Sequence, residues 1–158
     1  MRKMTSVGVK IALALLVGFT VLIEALFVPL GIEQITQVYP ETGRVAVPAF
    51  VWAVLTLACA QAILVILWRL TALASGDGIF TETAFTWVRA MIGFAYAMAA
   101  LLAAAWLALA ALTWTPPLVM YGLLGAGLLA VAFALVVAVM LGLLRRATAL
   151  ATEMAQVV

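Results

Sequence analysis

The strongest constraint on this chain is its four long apolar runs, at about residues 11–30, 46–70, 88–112 and 117–144. A helix rises ~1.5 Å per residue, so each run is long enough to cross a hydrocarbon core about 30 Å thick. In that solvent a single segment must satisfy its own backbone, which restricts it to a helix. The expected fold is an all-α integral membrane protein: a four-transmembrane-helix bundle built from two helical hairpins. Composition agrees, because 69% of the residues are hydrophobic and only 9% are charged, where soluble domains run near one-quarter charged. The 158 residues leave room for a single membrane domain, 1–158, and for no separate soluble unit.

Basic residues set the expected orientation. Arg2, Lys3, Lys10, Arg69, Arg89, Arg145 and Arg146 fall on one side of the four runs, and Arg44 alone falls on the other. By the positive-inside rule both termini and the hinge face the cytoplasm, as in a multi-pass membrane protein. The first run follows a basic start and resembles a signal peptide, but its apolar part is too long and no small-x-small cleavage site follows. It reads as a retained span that ends at Pro29 and Gly31, with a polar loop over 31–45 on the outer side.

Between the hairpins lies the one short polar hinge, 76–89, GDGIFTETAFTWVR. Gly76 and Gly78 stop the second helix. Thr81 is suited to cap the third, Glu82 sits in its first turn, and Phe80 and Phe85 occupy the positions of a hydrophobic staple. The third helix is therefore expected to begin at Glu82, with Trp87 and Arg89 at the membrane interface. Phe80, Thr81, Glu82, Phe85 and Arg89 form a candidate cytoplasmic docking surface. Pro116 and Pro117 open the fourth span, where a missing N–H costs nothing. Its continuation over 145–158 keeps an apolar stripe at Leu144, Ala147, Ala151, Met154 and Val158, so this tail is expected to lie on the inner membrane surface or on a partner.

An internal similarity supports the two-hairpin arrangement. LWRLTALAS at Leu67–Ser75 and LRRATALAT at Leu144–Thr152 share six of nine residues at an offset of 77. Each copy closes an even-numbered span on the same side, as in a parallel repeat; convergent juxtamembrane composition is the alternative.

Together the basic start, the four spans, the hinge residues Gly76, Gly78, Phe80, Thr81, Glu82 and Arg89, and the ending L-x-x-E-M-x-x-V-V resemble the bacterial domain-of-unknown-function family 2975. The resemblance implies a small four-helix inner-membrane protein without assigned biochemistry, in a family some of whose members are encoded beside small helix-turn-helix regulators. This chain departs from many members in carrying Trp87–Val88–Arg89 where a more basic run is common.

Chemistry-bearing residues are few. The net charge of +2, confined to segment ends, does not point to nucleic acid. A single cysteine, Cys59, precludes an intramolecular disulfide, and the absence of histidine removes the usual haem ligand and the commonest metal ligand. No cofactor is expected, and the chain is read as non-enzymatic, since acid–base or nucleophilic work needs convergent groups. Glu24, a carboxyl group inside a span, is the most informative residue. Equal helix rise places it level with Thr56, with Ala103–Ala105 and with Gly122, Gly125 and Gly127, small residues that could leave a cavity around it or close tightly on it. Its structural reading is a hydrogen bond to a neighbouring carbonyl; its functional reading is a proton-linked or cation-binding site. Gln61 and Tyr96, at similar depth, are expected to bond each other. Gly122, Ala126, Ala130, Ala134, Ala138 and Gly142 form a small-residue stripe for packing in the bundle, or for a homodimer or partner interface. The expected function is a regulatory or accessory module that meets a membrane or cytoplasmic protein through its hinge and tail; the alternative is a small dimeric proton-coupled transporter or channel using Glu24.

Overall fold

A computed structural model of the chain describes residues 2–38, 40, 43–74, 82–113 and 116–156, with side chains set aside at 2–6, 27, 35, 74, 82 and 151–156. Those residues are almost wholly helical. Helix α1 covers Arg2–Leu22, a π-helical turn follows at Ile23–Phe27, and α2 continues through Val28–Val38. Then come α3 (Gly43–Ala74), α4 (Glu82–Ala111) and α5 (Pro117–Gln156). Four helical stretches, 7–38, 43–73, 83–111 and 117–150, are long and apolar enough to cross a membrane.

The polar loop expected over 31–45 is largely helix. Pro29 and Gly31 look like a stop, yet the chain winds past both to Val38, and α3 resumes at Gly43. The reason lies one turn earlier. A proline inside an α-helix lacks an N–H and its ring collides with the carbonyl four residues back. The wide turn over Ile23–Phe27, in which the Val28 N–H reaches back to the Ile23 carbonyl, reorganises the bonding immediately ahead of that ring. Pro48 is tolerated for a simpler reason: it lies near the start of α3, so the carbonyl it leaves unpaired belongs to the exposed end at Arg44.

Each helix packs on its neighbour in the chain. The closest association is α4 with α5, then α3 with α4, then α1 with α3, whereas α1 makes no comparable contact with α4 or α5. Among the described residues the two hairpins are therefore joined through α3 and α4 into a row, not closed into a ring. Small residues let α4 and α5 meet: Ala95 and Ala134 are both 0% exposed. Around them Ile63, Ile66 and Met91 complete a core at the α3–α4–α5 junction. The small-residue stripe of α5 packs only in its middle. Ala130 and Ala134 are buried, Ala138 is half-buried, and Gly122, Ala126 and Gly142 are exposed. Steps of four residues drift about 40° each around a helix of 3.6 residues per turn, so the ends of the stripe leave the α4 face.

Between α4 and α5, beyond that core, lies an open apolar cavity of about 320 Å³. Ala103 and Gly127 line it together with Trp106 and Leu102. These small residues were expected beside Glu24; they face one another instead, because α1 sits at the far edge of the row.

At the α4–α5 turn the chain closes on Thr113, whose φ of 56° is the left-handed conformation usual for a glycine at a helix end. Pro117 opens α5 as expected, and the Pro116 carbonyl accepts from the Val119 and Met120 N–H groups at 3.1 Å.

Candidate functional site

Two places gather side-chain chemistry: a polar pair between α1 and α3, and the arginine-rich end of α3, α4 and α5. The pair is Glu24 and Gln61. The Gln61 Nε2 donates to Glu24 Oε2 at 2.7 Å, and both residues are half-buried. Glu24 lies within the π-turn, a geometry that recurs at functional sites.

The bonds expected of these residues are not the ones observed: Glu24, read as bonding a neighbouring carbonyl, instead accepts from Gln61. Thr56, expected level with Glu24, donates its hydroxyl to the Trp52 carbonyl of its own helix at 2.8 Å. Tyr96, expected to bond Gln61, is 43% exposed on α4, and Gln61 gives its amide to Glu24. Helix geometry explains the diagonal pairing. Cα–Cβ bonds tilt toward a helix's own N-terminus. In an antiparallel pair the Glu24 side chain therefore leans back along α1, the Gln61 side chain leans back along α3, and the two meet between. Gln61 lies five residues beyond Thr56, roughly 7.5 Å of helix rise, which two long side chains bridge.

A second tie between helices was not anticipated. The Trp52 indole Nε1–H donates to the Leu101 carbonyl of α4 at 2.8 Å. A buried indole N–H needs an acceptor, and a helical carbonyl keeps a second lone pair for it. That requirement is the signal in the sequence that could have singled out Trp52.

At the other end of the row two cation–π contacts fasten α4 to both neighbours. The Arg69 guanidinium of α3 lies 4.7 Å from the Trp87 ring centroid, and that of Arg145 on α5 lies 5.3 Å from the Phe85 ring. Phe85 is only 5% exposed. Two residues apart on a helix, Phe85 and Trp87 point about 200° from each other, so α4 is gripped on both flanks. The internal similarity matches Arg69 with Arg146, but the side chain that stacks is Arg145. Both copies do share a threonine bonded to its own helix, Thr71 to Leu67 and Thr148 to Arg145.

Of the hinge residues, α4 begins at Glu82 as expected, Phe85 is buried under Arg145, and Arg89 is exposed. Phe80 and Thr81 lie outside the described residues, as does Asp77. Helix α5 continues unbroken from the fourth span through the tail to Gln156.

Residues 30–158 match the protein family described as Protein of unknown function (DUF2975). The chain belongs to that family. The match takes in α3, α4 and α5, and with them Gln61 and both cation–π contacts, but it begins after Glu24. Comparison with curated proteins and with solved structures found no match.

Proposed function

We propose that this protein is a non-catalytic accessory module of the cytoplasmic membrane, with both termini in the cytoplasm, that presents its arginine-rich end to a protein partner. One observation carries the reading. Helix α5 spans 40 residues, about 60 Å, or twice the thickness of a hydrocarbon core. It continues to Gln156, roughly 17 Å past the Arg145 contact with α4. Among the described residues α3 reaches Ala74 and α4 begins at Glu82, so α5 extends farther past the arginine contacts than either described helix. An unbroken extension of a span stands off the surface instead of lying on it, and a standing helix end offers a docking element. Because Arg145 grips Phe85, force on that extension reaches α4, and through Trp87 and Arg69 it reaches α3.

The positive-inside distribution supports the orientation. Photocrosslinkers placed at Ala149 and Leu150 in living cells test the reading: adducts with one defined protein are expected, and adducts with lipid alone would reject it.

A second reading, a small proton-coupled transporter, is favoured by the Glu24–Gln61 pair in its π-turn. Proton-coupled flux in liposomes that is lost in Glu24→Gln would support it, and absence of flux in the parent protein would reject it.

A further inference from the structure

The Glu24–Gln61 pair leaves capacity unused. A carboxyl group offers two oxygens and a side-chain amide one oxygen and two N–H groups, while the single bond between them uses one N–H and one oxygen. Glu24 Oε1 and Gln61 Oε1 make no hydrogen bond among the described residues. They are not sealed either, because among those residues no buried side-chain polar atom lacks a partner. Both oxygens therefore open onto the surface of the α1–α3 groove.

Among the described residues the rest of the fold leaves that groove uncovered. Helix α1 packs on α3 and makes no comparable contact with α4 or α5. Apolar side chains one turn away on each helix are exposed: Val21 before Glu24 and Val65 beyond Gln61. In hydrocarbon an unsatisfied acceptor is costly, so a donor from outside the chain is favoured there. Charge narrows the donor further. Lys10 lies fourteen residues from Glu24 along α1 and Arg69 eight residues from Gln61 along α3, about 21 and 12 Å of helix rise, so neither pairs with the carboxyl group. With those exposed apolar side chains beside it, the site suits a cationic head that donates N–H groups and carries an apolar body.

We infer that the α1–α3 groove binds the protonated primary amine of an amphiphile, whose N–H groups donate to Glu24 Oε1 and Gln61 Oε1 while its tail lies along the groove. The inference rests on the membrane-spanning reading, and it requires neither flux nor a protein partner.

The test uses the full chain in lipid nanodiscs, titrated with dodecylammonium, dodecyltrimethylammonium and dodecanol, while the side-chain amide signals of Gln61 are followed by nuclear magnetic resonance. Dodecylammonium is expected to shift them saturably, and at least tenfold more tightly than the trimethyl compound, which has the same charge and no N–H, or the neutral alcohol. Glu24→Gln is expected to weaken binding at least tenfold, read by thermal shift as well, and Thr56→Val to leave it unchanged. Should Glu24→Gln fail to fold, Gln61→Leu takes its place with the same tenfold loss. Unsaturable shifts, equal binding of the trimethyl compound, or undiminished binding by either variant would overturn the inference alone. Failure of the parent protein to enter nanodiscs would overturn it together with the membrane reading.

Discussion

Replacing Gln61 by leucine should destabilise the protein more than replacing Gln61 and Glu24 together. The bond between them is 2.7 Å long and joins two half-buried side chains. Hydrogen bonds between membrane helices average about 0.6 kcal/mol and reach about 1.7, whereas a bond to a charged group is worth about 1.5–3 kcal/mol. Gln61→Leu removes the donor and leaves the carboxyl group without it, at an expected loss of about 1–3 kcal/mol. In the double variant Glu24→Leu/Gln61→Leu no polar group is stranded, and replacing both partners by apolar groups is close to neutral. The expected coupling is therefore at least ~1 kcal/mol, with the double variant the more stable of the two. Reversible unfolding in mixed micelles, followed by tryptophan fluorescence, gives the four stabilities of the cycle. Thr56→Val is a control at neighbouring depth, since its hydroxyl bonds only its own helix. Effects that add within about 0.3–0.5 kcal/mol, the margin for independent sites, would refute the pairing.

Other substitutions probe the remaining contacts. Phe85→Leu should cost about 1–2 kcal/mol in the same unfolding assay, by loss of buried volume and of the Arg145 contact. Adding Arg145→Gln to it should then cost less than Arg145→Gln does alone. Ala134→Leu puts a large side chain where none is exposed; overpacking of this kind costs about 1–3 kcal/mol, and a cysteine pair across α4 and α5 should crosslink more slowly in that variant. Thr113→Gly relieves a left-handed residue and should raise stability by about 1 kcal/mol, read as a higher unfolding midpoint.

The four spans, the start of α4 at Glu82 and the start of α5 at Pro117 were legible from run length, capping residues and proline placement. The end of the first span was not. Pro29 and Gly31 carry the signature of a stop, and only the π-turn ahead of them, which has no marker in the sequence, lets the helix continue to Val38. Packing order was hidden for a different reason. A span that is apolar all round, as α3, α4 and α5 are, does not advertise which side meets a neighbour, so a ring and a row of helices read alike. Glu24 and Gln61 were both visible as rare polar residues in the spans, but matching heights ignores the backward lean of side chains, so it sets Glu24 level with Thr56 and does not bring it to Gln61. At the arginine-rich end the repeat pointed to Arg146, whereas neighbouring positions on a helix differ by about 100° and only Arg145 faces Phe85.

The docking role of the α5 extension is tested most directly by crosslinking in living cells from Ala149 and Leu150, with Tyr121 at the opposite end of the same helix as the control. The account predicts a single defined protein adduct from both positions near the arginine-rich end, none from Tyr121, and loss of the Ala149 adduct when residues 151–158 are deleted. Adducts with lipid alone at all three positions, or one partner captured equally from Tyr121, would contradict it.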